Sequence, residues 1–218
     1  MKNETYNRIL SSFIIIPITF FFIIKGSTLF IFFLLIFFLA TSYEWIRMTK
    51  KKSYLIPGIL FLLLSTYCAY LMRGNDITDL FIFLLVILVC IATDIGGYTF
   101  GKIFKGPRIT KISPNKTYSG MLGGFFLSII FVNIFLFYWN KNIYLIESIN
   151  LDNLIYLIII LSISFVSQIG DLIISYFKRL SKIKNTGRLI PGHGGLLDRV
   201  DGMLFAVPYS YLIFKILL

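Results

Sequence analysis

Seven apolar runs dominate this chain, at 9–24, 27–42, 55–72, 80–93, 121–139, 154–174 and 203–218. A helix that crosses a bilayer needs roughly 20 mainly apolar residues, with some spread from tilt and local thinning. No water-soluble core absorbs that many such runs in 218 residues. The composition agrees: 57% of residues are hydrophobic and 14% charged, against about 45–50% and about 25% in a soluble domain. A disordered chain, a collagen-like fibre and an ordinary cytosolic enzyme are excluded. The expected fold is all-α, a polytopic integral membrane protein of about seven transmembrane helices. The first run follows Lys2 and Arg8 but contains Pro17 and leads through Lys25-Gly26-Ser27 into the next run, so it reads as a retained helix rather than a signal peptide. Cys68 and Cys90 lie inside apolar runs and read as small core residues. With His193 the single histidine, a multi-histidine metal site is excluded.

The formal net charge is +11. With the N-terminus placed inside, 17 of the 21 basic residues fall on the inner segments and 4 on the outer ones. That asymmetry follows the positive-inside rule and needs an odd number of spans. Both long polar stretches, 94–120 and 175–201, then face the cytoplasm. The expected organisation is one integrated membrane domain, with N-terminal helices over 1–93 and a catalytic region over 94–218.

Carboxylates inside apolar segments are costly and mark function. Asp94 ends the fourth run, and Asp171 sits in Ser167-Gln168-Ile169-Gly170-Asp171-Leu172-Ile173. Ser164, Gln168, Asp171, Ser175 and Lys178 are spaced 4, 3, 4 and 3, which puts them on one helical stripe. Such a stripe points at a bundle interior or a wet cavity, because lipid offers it no hydrogen bonds. Asp198 and Asp201 form an i, i+3 pair before the last run. Two close carboxylates repel unless a cation intervenes. With Asp171 and Asp94 the pair suits one or two Mg²⁺ ions, which take one or two carboxylates plus water and substrate phosphates. Capping of a helix N-terminus is the plainer reading of the same pair.

Ahead of the pair lies Pro191-Gly192-His193-Gly194-Gly195. A glycine-rich loop opening a helix can aim backbone N–H groups at phosphate. Flanked by Lys178, Arg179, Lys184, Arg188 and Arg199 and followed by two aspartates, it carries the elements of metal-assisted phosphoryl or nucleotidyl transfer. The other polar stretch holds Ser113-Pro114-Asn115-Lys116-Thr117-Tyr118-Ser119-Gly120, whose Ser113, Lys116, Thr117 and backbone offer phosphate donors without Walker A spacing.

These motifs resemble the phosphatidate cytidylyltransferase (CDP-diacylglycerol synthase) family. Ser175-Tyr176-Phe177-Lys178-Arg179, then Lys184-Asn185, then Pro191 through Asp201, follow the family signature with its spacing, departing only at Asn185, where Asp is usual. Gln168 to Leu172, and Asp94 followed by Tyr98, are similar to the family too. Ser113 to Gly120 resembles the family's Ser-Pro-Lys-Lys-Thr-Trp-Glu-Gly and departs at Asn115, Tyr118 and Ser119. The resemblance implies transfer of a cytidylyl group from CTP to phosphatidic acid, with Mg²⁺, in phospholipid biosynthesis at the cell inner (plasma) membrane. It implies catalytic Asp171, Lys178, Asp198 and Asp201. Metal would sit on Asp171, Asp198, Asp201 and Asp94. Substrate would meet Ser113, Lys116, Thr117, Ser175, Arg179, Gly192, His193, Gly194, Gly195 and Arg199. The partners are CTP, phosphatidic acid in the bilayer and membrane lipids, with no nucleic acid; a homodimer is allowed. The competing readings are a CTP-dependent transferase with another lipid acceptor and an ion-coupled transporter. Against the transporter stand the absence of an inverted repeat and the single cluster of charges.

Overall fold

In the computed structural model the described residues are 2–110, 113–142, 153–187, 189–190, 192 and 194–217. They form eight helices: α1 (Lys2–Lys25), α2 (Ser27–Thr49), α3 (Leu55–Arg73), α4 (Ile77–Phe104), α5 (Tyr118–Asn142), α6 (Asn153–Leu180), α7 (Leu197–Val200) and α8 (Met203–Leu217). Over the described residues, each apolar run of the sequence falls in a helix. Five helices, α2 to α6, contain segments long and apolar enough to cross a membrane; α1 and α8 contribute shorter apolar segments, Phe13–Lys25 and Met203–Ile216.

The helices continue beyond the apolar runs. The sequence places a polar stretch at 94–120, yet α4 continues to Phe104; it places another at 175–201, yet α6 continues to Leu180. The boundary drawn at 93–94 therefore falls inside a helix. Polar residues continue a helix without penalty when their side chains find partners in the bundle. The connecting loops shrink to 105–117 and 181–196. Each is closed by one antiparallel bridge, Arg108 with Thr117 and Ile190 with Gly194.

Lipid is as apolar as leucine, so burial of apolar surface does not drive helix association inside a membrane; close packing and hydrogen bonds do. The tightest crossing is that of α4 with α5, where Gly96, Gly97 and Gly101 meet Gly120, Gly123 and Gly124. A Cβ at Gly123 would run into the Phe100 ring and the Gly96 carbonyl. Phe81, Val86, Val89, Val132, Ile160 and Ile163 fill the largest buried cluster, together with Cys68 and Cys90, which are free thiols acting as core residues. A second cluster, Trp45, Met48, Leu62, Ile174, Leu197 and Leu204, joins α2 and α3 to α6, α7 and α8. Arg73 ties α1 to α3: its Nε donates to the Ile23 carbonyl at 2.6 Å and its Nη2 to that of Ile24 at 3.1 Å, satisfying the orphan carbonyls at the end of α1. The outward faces of α1 and α2 expose Phe13, Ile16, Phe32, Leu35 and Leu39, as expected of surfaces solvated by lipid.

Candidate active site

The polar stripe of α6 faces the other helices. Ser164 accepts a 2.7 Å hydrogen bond from Thr93 of α4. Gln168 Nε2 donates to the Met121 carbonyl of α5 at 3.4 Å. Asp171 pairs with Lys116, and its Oδ1 also accepts from Ser175 Oγ at 3.3 Å. One turn on, Lys178 Nζ donates to Asp198 Oδ1 at 2.9 Å and lies 3.7 Å from Asp201 Oδ2. Lys178 thus places an ammonium group between the two aspartates of the i, i+3 pair.

Local structure sets these positions. Thr117 caps α5: its Oγ1 accepts the Gly120 N–H at 3.1 Å and bonds Ser119 Oγ at 3.0 Å. Ser119 Oγ also accepts the Gly106 N–H at 3.2 Å. Ile109 N–H donates to the Lys116 carbonyl at 2.9 Å and Tyr118 N–H to that of Pro107 at 3.0 Å. The loop is therefore a tight hairpin with Lys116 facing α6. Ser113 serves the turn, its N–H donating to Thr110 Oγ1 and its carbonyl accepting from Lys116 N–H. On the other side, Gly202 lets the α7–α8 turn rest on α6, since a Cβ there would stand 2.9 Å from the Ser167 carbonyl oxygen. That contact aims Asp201 at Asp171.

Asp201 is buried, and burial holds its carboxyl well above the usual carboxylate range. The nearby charge of Asp171 raises it further and Lys178 opposes the shift. Asp94, exposed on α4, adds its charge to the same cluster, and Arg199 acts on Asp94 from the exposed side of α7. Among the described residues no group of three or more acidic, histidine or cysteine side chains forms a ready metal cage.

The structure brings together Asp94, Lys116, Asp171, Ser175, Lys178, Asp198, Asp201 and Arg199. It does not bring Arg179 into the cluster: the exposed guanidinium donates to the Ile183 carbonyl at 3.2 Å and closes the end of α6. Thr117 is occupied as a helix cap. His193 and Arg188 lie outside the described residues.

The glycine loop adopts the left-handed conformations its composition allows, with φ of 77° at Gly192 and 94° at Gly194. The amides at its end and just beyond it are engaged within the chain. Gly195 N–H donates to Asp198 Oδ2 at 3.1 Å, and Thr186 N–H to the same oxygen at 2.9 Å. Leu196 N–H and Leu197 N–H donate to Glu44 at 3.0 and 2.8 Å, and Thr186 Oγ1 donates to Glu44 at 3.0 Å. Of the four loop residues the sequence assigns to phosphate, Gly195 thus has its amide held by Asp198, and Glu44 holds the two amides that follow it. Glu44, on α2, is absent from the sequence-derived set. Its signal was available, a lone acid in Ser42-Tyr43-Glu44-Trp45 next to an apolar run, the same pattern that singles out Asp94.

Apolar helices of membrane-spanning length that enclose lysines and aspartates at adjoining positions define a membrane protein with a charged site among its helices. The model of the cytidylyltransferase family matches residues 59–217. The phosphatidate cytidylyltransferase of Rickettsia bellii is 33% identical over 97% of this chain and 91% of its own length. That of Rickettsia felis is 32% identical over 97% and 93%. That of Haemophilus influenzae is 37% identical over 76% of this chain and 56% of its own. The chain belongs to the cytidylyltransferase family, and it is a nucleotidyltransferase.

Proposed function

We propose that this chain makes CDP-diacylglycerol and pyrophosphate from CTP and phosphatidic acid. The observation that carries this reading is the meeting of Lys116 with Asp171 and of Lys178 with Asp198 and Asp201, among helices of membrane-spanning length. The lipid phosphate is already an anion, so the reaction needs no strong base. An oxygen of that phosphate attacks the α-phosphorus of CTP. The bond from that phosphorus to the bridging oxygen breaks, and pyrophosphate leaves. Two anions must approach, so screening and alignment set the barrier. Lys116 and Lys178 bring ammonium groups to that position, and Arg199 adds a third cation at the rim.

Asp171 and Asp201 are hard-oxygen donors facing one another, the donor type that Mg²⁺ takes with waters and phosphates. They are the residues that would hold it, with Asp94 adding its charge to the same cluster. Bound there, the ion would polarise the phosphate oxygens and neutralise charge on the leaving pyrophosphate. Asp198 has both oxygens engaged by three donors, and its part is to position the loop and Lys178.

In the membrane, the reading has α1 and α8 complete a set of seven spans, with the N-terminus and both motif loops on the cytoplasmic side of the inner membrane, where CTP is available. Basic residues gather on that side. A homodimer is compatible with this arrangement.

The test uses purified full-length protein in detergent–lipid micelles with phosphatidic acid, CTP and Mg²⁺. CDP-diacylglycerol and pyrophosphate should form in equal amounts, and vanish with EDTA or with Asp171→Asn. No product with folded protein, or product only with another lipid acceptor, overturns the assignment.

A further inference from the structure

Glu44 is 1% exposed, in a helix that precedes the residues matched by the family model. Its carboxylate accepts hydrogen bonds from Leu196 N–H, Leu197 N–H and Thr186 Oγ1, all from the far C-terminal part of the chain. A Cβ at Gly195 would collide with both Thr186 Oγ1 and the Glu44 carboxylate, so the backbone is drawn against the acid with no space for a side chain. The acid also borders a cavity of about 180 Å³ lined with Tyr43, Arg47, Thr186, Gly187 and Leu189. Asp198 lies one residue beyond Leu197 and three before Asp201. Two of the three hydrogen bonds it accepts, from Thr186 N–H and Gly195 N–H, interleave with those of Glu44.

We propose that Glu44 is a positioning residue for catalysis, holding the Leu196 and Leu197 amides from α2 so that Asp198 and Lys178 set Asp201 against Asp171. The proposal rests on the activity given above, but its contacts do not. The acid stands at the first turn of α7, where N–H groups have no helical partner. Bonds from a carboxylate to backbone N–H groups are charge-assisted and short, which suits a device that must hold geometry. Loss of the acid leaves these buried donors without acceptors, and the segment that carries Asp198 and Asp201 then moves to find water or another partner. A catalytic group displaced by about 1 Å can lose on the order of a hundredfold in rate.

The experiment compares Glu44→Gln, Glu44→Ala and Thr186→Val with the parent chain, in full-length protein in lipid micelles. Two readouts are taken, turnover per folded enzyme and amide hydrogen exchange by mass spectrometry. The expected result is a fall in kcat of at least tenfold for Glu44→Gln, more for Glu44→Ala and less for Thr186→Val, with KM for the lipid within about twofold. Exchange should speed up over 194–200 while the amides of α6 keep their protection. A purely structural part would instead lower the folded fraction and leave kcat per folded enzyme unchanged, and that outcome overturns the proposal. Unchanged exchange over 194–200 in Glu44→Gln overturns it as well. If Glu44 variants fail to fold, Thr186→Val, which removes one bond of three, decides by the same two readouts. If the parent chain makes no CDP-diacylglycerol, the activity reading fails by itself, and exchange alone still tests whether Glu44 holds this segment.

Discussion

Lys116, carried on the loop between α4 and α5, pairs its ammonium with the carboxylate of Asp171 in α6. The pair joins the two halves of the site across 55 residues of chain. The side chains are 23% and 29% exposed, and an ion pair that wet contributes about 0–1 kcal/mol to stability. Lys116→Met should therefore leave the unfolding midpoint within a few degrees. Catalysis should suffer far more, because a lost electrostatic donor costs about 10²–10³ in kcat. Thermal unfolding in detergent and steady-state kinetics on one preparation check both halves; a large fall in stability would contradict the geometry.

Lys178 differs from Lys116 in depth. Its side chain is 11% exposed, and those of its partners Asp198 and Asp201 are 9% and 12% exposed. Removing one member of a buried pair strands the other charge, at a cost of about 3–5 kcal/mol. Lys178→Met should lower the unfolding midpoint sharply. Adding Asp198→Asn to it should restore part of the loss, since the charge left behind is then gone. Non-additivity in that double-mutant cycle is the diagnostic. Lys178→Arg should not rescue activity, because a planar fork does not replace a compact ammonium between two carboxylates.

Asp201 carries a prediction of opposite sign. Burial holds its carboxyl well above the usual range, so the ionised form costs the fold. The folded chain binds this proton more tightly than the unfolded one, and stability falls as pH rises through the interval between the two pKa values. With EDTA present, Asp201→Asn should match or exceed the parent in melting temperature at neutral pH. The gain should shrink in acid, where the parent carboxyl is protonated. Turnover should be abolished throughout. A variant that melts earlier at neutral pH would refute this reading of the site.

The α4–α5 crossing depends on glycine at positions where backbone meets backbone. Gly123→Ala drives a methyl into the Phe100 ring and the Gly96 carbonyl. Overpacking of this kind costs about 1–3 kcal/mol. Because the hairpin above this crossing carries Lys116, activity should fall with it. Gly97→Ala is the control: its Cβ would meet only the Gly120 carbonyl, at 3.9 Å, an ordinary contact. Equal losses in the two variants would show that the crossing is less tight than described.

The helices, the inward stripe of α6 and the two motif loops were legible in the residues alone. Hydropathy is a local property, and a period of 3.6 relates near neighbours on a helix, so Ser164, Gln168, Asp171, Ser175 and Lys178 show their common face without any fold. Helix ends were less legible. Asp94 and Lys178 break an apolar run but not a helix, because their partners come from elsewhere in the chain. The glycine loop was half legible. Its left-handed turns at Gly192 and Gly194 follow from composition, whereas the recipients of the N–H groups at its end and just beyond it do not. An amide near a helix start is satisfied by whichever anion the fold delivers. Here Glu44 arrives from α2, about 150 residues earlier in the chain, and Asp198 from just downstream. The chain's own order therefore determines which segments are helical and which faces are polar. Tertiary packing alone decides which carboxylate faces a lysine, which holds the loop, and which remains open to a phosphate, since each depends on contacts between distant residues.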